Sequence, residues 1–275
     1  MVTISDLEFG YGRMPVLKNI DMSLREGNIY GLLGKNGVGK TTLLKLISGL
    51  LKPTSGEIDI CGSNPFKREP QRLKDIYFLP ENFILPKVTP IQYARMYAPF
   101  YQSFDSRLYY DLLEHFEVDK DVKLTKMSFG QQKKAMIAFA ISLNTKILLM
   151  DEPSNGLDIP SKQQFRQSLS SAMTDDKMIV ISTHQAKDLE NLIDPIIIMD
   201  NHGVILNNSV KSISEKLYFS LDKEALHNAL YSELTLGGVL NVSLNSGSQE
   251  SVVYIEALFN AVQNNRDVIV SLFGK

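Results

Sequence analysis

The stretch GLLGKNGVGKTTLL, residues 31–44, decides how this chain is read. Glycine and lysine this dense in an apolar setting suit neither a strand nor the interior of a helix. The flanks are plainer. NIYGLL, residues 28–33, predicts a short buried strand, and TTLLKLISGLL, residues 41–51, predicts an amphipathic helix stopped by Lys52-Pro53. Between them runs the spacing G-x-x-x-x-G-K-T, carried by Gly34, Gly39, Lys40 and Thr41, with Gly37 inside it. A strand, a glycine loop and a helix start let backbone N–H groups turn inward around an anion, and the helix dipole adds positive potential there. Lys40 then reaches outer phosphates and the Thr41 hydroxyl can ligate Mg2+. Asn36 and Thr42 complete the candidate phosphate-facing set. Such a spacing arises by accident in roughly one chain per hundred of this length, given ordinary glycine usage.

A phosphate loop of this kind needs an acidic partner at the end of an apolar strand. KILLMDEP, residues 146–153, supplies it. Asp151 is placed to hold the Mg2+ shell, and Glu152 to orient or deprotonate a water. KMIVISTHQAKDL, residues 177–189, predicts a second buried strand, ending at Thr183-His184 and followed by a helical stretch. His184 at such a strand end can contact a γ-phosphate or the water that attacks it.

Composition narrows the class. With 275 residues, 44% hydrophobic and 22% charged, the chain is an ordinary globular protein of one large domain, with room for a small appendage. No apolar run approaches the roughly 18 residues needed to span a bilayer, and MVTISDLEFG has no charged-then-apolar leader pattern, so a cytoplasmic chain is expected. The one cysteine, Cys61, cannot form an internal disulfide, which fits a reducing compartment. A net charge of −2 without a basic stripe argues against a nucleic-acid partner.

Three further segments carry a resemblance. FGYG, residues 9–12, places Tyr11 ahead of the glycine loop; MSFGQQKK spans 127–134; SNGLD spans 154–158. Together with the segments above, in this order from about residue 2 to 210, they resemble the ATP-binding subunit of ATP-binding-cassette (ABC) transporters, exporter type. The resemblance implies an α/β P-loop cassette over residues 1–212 with a helical subdomain at about 83–127, ATP and Mg2+ as cofactors, and ATP hydrolysis. It implies that Tyr11 stacks on adenine. It implies that Ser128, Gly130 and Gln131 of one subunit close over the γ-phosphate held by the glycine loop of another, in a homodimer or a heterodimer. It also implies an integral membrane permease as partner, which would hold the chain at the inner face of the cell membrane. Read physically, Ser128 is a good N-cap and KKAMIAFAISL continues as a helix, a second helix start suited to an anion.

Two rival readings come from other classes. A soluble relative that gates nucleic-acid binding would carry long coiled-coil insertions or tandem cassettes, and the stretch from Lys40 to Ser128 has no heptad run. A nucleotide-binding regulator without turnover fits poorly with Asp151, Glu152 and His184 all present.

The chain departs from the family pattern at two positions. Phe129 stands where glycine is usual. Glu81, in IYFLPENFIL, stands where the family has a glutamine that touches Mg2+ and the membrane partner. A carboxylate binds a divalent ion more strongly than an amide, so Glu81 is a candidate metal and coupling residue; a tolerated substitution is the alternative. Residues 83–116 read as mostly helical and hold nine aromatics, of which more than half are expected in a subdomain core and the rest at a docking groove. Residues 213–275 read as a small α+β extension: strand LYFSL, helix DKEALHNALYSEL, strand GVLNVSLN, polar turn SGSQES, helix VVYIEALFNAVQNN and the apolar DVIVSLF. Packing on the main domain is the first role expected of it, before dimer support or regulation.

Overall fold

A computed structural model describes residues 1–201, 203–247 and 249–274. The first third holds β1 (Val2–Tyr11), β2 (Met14–Leu24), β3 (Asn28–Leu33), α1 (Lys40–Ile47), β4 (Ser55–Ile60), the single turn α2 (Pro70–Leu73) and β5 (Ile76–Leu79). A helical stretch follows, with α3 (Pro90–Tyr97), α4 (Ser106–His115) and α5 (Phe129–Ser142). Then come β6 (Ile147–Asp151), α6 (Ile159–Ala172), β7 (Met178–Thr183), β8 (Ile196–Asp200) and β9 (Gly203–Asn208). The chain closes with α7 (Val210–Lys216), β10 (Leu217–Asp222), β11 (Tyr231–Thr235), β12 (Gly238–Leu244), α8 (Ile255–Asn264) and α9 (Arg266–Phe273).

The central sheet has the order β5-β6-β7-β3-β8-β9, parallel from β5 to β8 with β9 antiparallel at the edge. Parallel strands covered on both faces should be apolar without a polar side, and β6 and β7 are buried at every residue. Alternation then divides the core. Leu148, Met150, Ile179 and Ile181 face the helical stretch and the C-terminal segment. Ile147, Leu149, Met178 and Val180 face α1 and the antiparallel sheet β2-β1-β4. Register sets the functional edge: Leu79 pairs with Met150, Asp151 with Ser182, and Leu33 with Thr183. Four strands therefore end side by side, and the loops leaving them meet in one crevice.

The helix after the glycine loop is shorter than its pattern predicts. It ends at Ile47, not at Lys52-Pro53, because Gly49 turns left-handed (φ 72°) and the N–H groups of Leu50 and Leu51 bond back to the Lys45 carbonyl. A Cβ on Gly49 would stand 2.4 Å from the Pro65 carbonyl oxygen, so the turn is closed by close backbone approach. α1 is also buried on most of its surface rather than on one stripe, since it lies between two sheets.

The expected helix DKEALHNALYSEL does not form. Residues 223–230 are irregular and β11 follows, antiparallel to β12 in the sheet β10-β12-β11. The cause is Asn241, which is fully buried in β12. Its amide oxygen accepts from the Leu226 N–H (3.1 Å) and the Ser232 hydroxyl (2.6 Å), and its Nδ2 donates to the Asp222 carboxylate and the Glu224 carbonyl. An amide satisfied this fully holds the segment open against its helical propensity. DVIVSLF forms a helix, α9, and α8 starts at Ile255, inside the expected span. Ser248 of the polar turn lies outside the described residues. Leu258, Ala261 and Val262 of α8 and Ile269 of α9 join the same core as the strands, and Arg266 bonds the Asp200 carboxylate at 2.9 Å. The C-terminal segment thus buries an apolar face on the main body.

Candidate functional site

At the carboxyl end of the central sheet lies a cleft of about 400 Å3. The glycine loop contributes Asn36, Gly37 and Gly39, α1 contributes Lys40, Thr41 and Thr42, and Tyr11 with Val16 closes one side. Glu81, Glu152, Asn155 and His184 complete the lining. Gly34 lies beneath: its carbonyl accepts from Lys40 Nζ at 2.7 Å, and a Cβ there would stand 2.7 Å from Val38. Gly37 (φ 88°) and Gly39 (φ 107°) take the left-handed turns that aim backbone N–H groups inward.

Charge is concentrated on the inner wall. Lys40 is 6% exposed and lies 3.6 Å from Glu152 Oε1. Burial pushes its pKa down, against the pull of Glu152 and Asp151. Glu152 Oε1 also meets His184 Nδ1 at 3.0 Å. Glu152 itself has φ 46°, a left-handed backbone that costs a non-glycine residue about 1–3 kcal/mol. Its N–H is held by the Ser182 carbonyl (3.1 Å) and hydroxyl (3.2 Å), and this unusual turn lies directly after the strand.

The donor set fits a magnesium nucleotide. Thr41 Oγ1 donates to Asp151 Oδ2 at 2.7 Å beside the glycine loop. A hydroxyl and a carboxylate are hard oxygen donors of the kind that would hold Mg2+ together with phosphate oxygens. Among the described residues no group of three or more His, Cys, Asp or Glu is placed to hold a metal. A metal kept largely by water and phosphate oxygens suits such a sparse set.

The family's signature segment, which MSFGQQKK at residues 127–134 resembles, is elsewhere. Ser128 caps α5, accepting from the Gln131 N–H at 3.3 Å, as its sequence predicts. Ser128, Gly130 and Gln131 line a second cleft of about 260 Å3 with Gly156 and Asp158, which shares no lining residue with the first. The fold thus brings Tyr11, the glycine loop, Glu81, Glu152 and His184 together, with Asp151 behind Thr41, and leaves Ser128, Gly130 and Gln131 apart. Phe129 stacks parallel to Phe83 (6.5 Å, 13°) and lies against Gly156.

Three participants escaped the sequence reading. Ser182 donates a short hydrogen bond to Asp151 Oδ1. Asn155 donates to Glu81 Oε1 at 3.0 Å, and the fully buried Lys133 donates to the Glu152 and Glu81 carbonyls. The available signal was slight: Ser182 is polar within the apolar run MIVIS, while Asn155 in a turn and Lys133 in the polar run QQKK carried none.

The ABC transporter family profile matches residues 17–155. The chain belongs to this family. It is similar to the ABC-type transporter ATP-binding protein EcsA of Bacillus subtilis strain 168, 30% identical over 86% of this chain and 96% of that one. It is also similar to the Nod factor export ATP-binding protein I of Cupriavidus metallidurans, 29% identical over 69% of this chain and 65% of the relative. Among solved structures, a dimeric post-hydrolysis ATP-binding cassette bound to ADP and Pi superposes with a TM-score of 0.66 at 26% identity, over 76% of this chain and 98% of that one. As an ABC ATP-binding subunit the chain is an ATPase that takes ATP with Mg2+ and serves a membrane transporter; such cassettes dimerise and work with permease subunits. No helix among the described residues is long and apolar enough to cross a membrane.

Proposed function

We propose that the chain powers an exporter, closing on a second cassette when ATP binds and reopening after hydrolysis. What carries this reading is the separation of the two clefts: Lys40, Thr41 and Glu152 line one, while Ser128 and Gly130 line the other. A γ-phosphate on Lys40 can meet Ser128–Gly130 only if they come from another subunit. Export is favoured by the function named for the Nod factor relative.

In this reading the loop amides and Lys40 hold phosphate charge, and Thr41 and Asp151 hold Mg2+. The bound ion supplies neutralisation of charge on the phosphate oxygens. Glu152 takes a proton from the attacking water, held in place by its bonds to His184 and Ser182, while His184 faces the γ-phosphate. Tyr11, half exposed at the cleft mouth and packed edge-on against Phe9 at 4.9 Å, offers its ring to adenine. Ile84, Tyr97, Phe100 and Tyr110 stand exposed beside the aromatic core and offer the permease a docking surface, which would hold the chain at the inner face of the membrane.

The test is phosphate release against chain concentration. Turnover per chain should rise with concentration and then level off, as dimers form. A flat profile would remove the two-cleft mechanism.

Glu81 lines the cleft and is proposed as a further metal ligand. Glu81→Gln is expected to raise the Mg2+ concentration needed for ATP binding by roughly threefold, the scale of one partly screened charge. Superimposable titrations of the two proteins end this assignment.

A further inference from the structure

Lys133 lies one turn into α5 and has no solvent exposure. A buried ammonium must find acceptors, and this one finds two backbone carbonyls: Glu152 at 2.8 Å and Glu81 at 3.2 Å. Both belong to loops that carry a carboxylate into the nucleotide cleft. Its Nζ also stands 5.6 Å from the ring centre of Phe129, at the start of the same helix. Glu152 has a left-handed backbone, and both of its main-chain polar groups are held: its N–H by Ser182 and its carbonyl by Lys133.

We propose that Lys133 is a positioning residue for hydrolysis: from the helix that begins at Ser128 it clamps the backbones of Glu152 and Glu81, so the aim of the Glu152 carboxylate depends on where that helix start sits. The proposal rests on the reading of Glu152 as the water-activating group. It gives the signature segment a covalent and hydrogen-bonded path into its own chain's active site, through one side chain. Burial pushes the Lys133 pKa down, and the carboxylates of Glu81, Asp151 and Glu152 oppose that shift.

Phosphate release at limiting and saturating MgATP tests this, with wild type, Lys133→Met and Lys133→Gln, each also made in the Glu152→Gln background. Methionine keeps the shape without a donor; glutamine keeps an N–H donor without the charge. Lys133→Met is expected to lower kcat at least about tenfold with KM changed less than about threefold, and Lys133→Gln to recover part of that loss. Once Glu152 is glutamine, Lys133→Met should cost nothing further in single-turnover release, because it acts through that residue. A kcat within about twofold of wild type, a loss carried by KM, or a full second loss in the Glu152→Gln background overturns the proposal. So does failure of both single variants to bind nucleotide, which would make Lys133 purely architectural. Wild-type turnover by Glu152→Gln alone removes the underlying reading of Glu152, and the proposal falls with it.

Discussion

Glu152→Gln is expected to lower ATP turnover by at least about a hundredfold, the usual contribution of a positioned general base, while ATP-loaded chains accumulate as dimers. The substitution is nearly isosteric. It preserves a side chain that can bond His184, now 3.0 Å from Glu152 Oε1, and removes the group that can take a proton from water. It also removes a negative charge 3.6 Å from Lys40 in a buried wall, which relieves repulsion against a triphosphate. Loss of turnover and tighter closure should therefore appear together. Phosphate release and size-exclusion chromatography with ATP and Mg2+ measure the two effects. Undiminished hydrolysis would move the water-activating role to another residue, and a variant that stays monomeric with ATP would count against phosphate-mediated closure.

Phe139→Ala should carry the largest cost in stability, about 3–5 kcal/mol, the range for removing a large aromatic from a packed core. Phe139 is 1% exposed in the last turn of α5. Its ring meets Tyr93 edge-on at 5.0 Å, Tyr77 and Tyr109 edge-on at 6.0 Å, and Phe104 at 6.1 Å. These partners come from β5, α3, α4 and the loop before α4, so the cavity would sit where the helical stretch joins the central sheet. Four surrounding rings cannot all move in, because Tyr109 is itself tied to the Pro90 carbonyl at 3.1 Å. A urea titration should show a lower midpoint with little change in slope. A loss below about 1 kcal/mol would mean that the cluster repacks freely around the gap.

The aromatic segment shows how far a pattern can be read. Of its nine aromatics, Phe83, Tyr93, Tyr101, Phe104, Tyr109 and Phe116 pack into or against the core, as expected of more than half. Tyr97, Phe100 and Tyr110 stay exposed. Nothing in the spacing marked which residues would fall on which side, because α3 and α4 are short and turn to the core through tertiary contacts, α4 against α5 and α3 through Tyr93 on Phe139.

The tail shows where local reading fails. Leu226, Leu230 and Leu234 recur at helical intervals, yet the segment opens into loop and strand because buried Asn241 takes its polar groups from the side. A similar limit hid Ser182 and Lys133. Ser182 lies beside Thr183 at the end of an apolar strand and Lys133 in the polar run QQKK that opens α5, and only the neighbouring strand or loop reveals what each holds.

By itself the sequence determined the local pieces: the glycine loop between a strand and a helix, the carboxylates after KILLM, His184 after a buried strand, and the Ser128 cap. These are set by short-range geometry, such as glycine's access to left-handed turns and an apolar strand's need for burial on both faces. The tertiary structure decided which pieces meet. Strand register aligned Leu33, Leu79, Asp151 and Thr183 along one edge, which gathered Lys40, Glu81, Glu152 and His184 around one cleft and left Ser128 and Gly130 in another. Partners separated by many tens of residues are chosen by packing and by the satisfaction of buried polar groups, and those energies exist only once the chain has closed on itself.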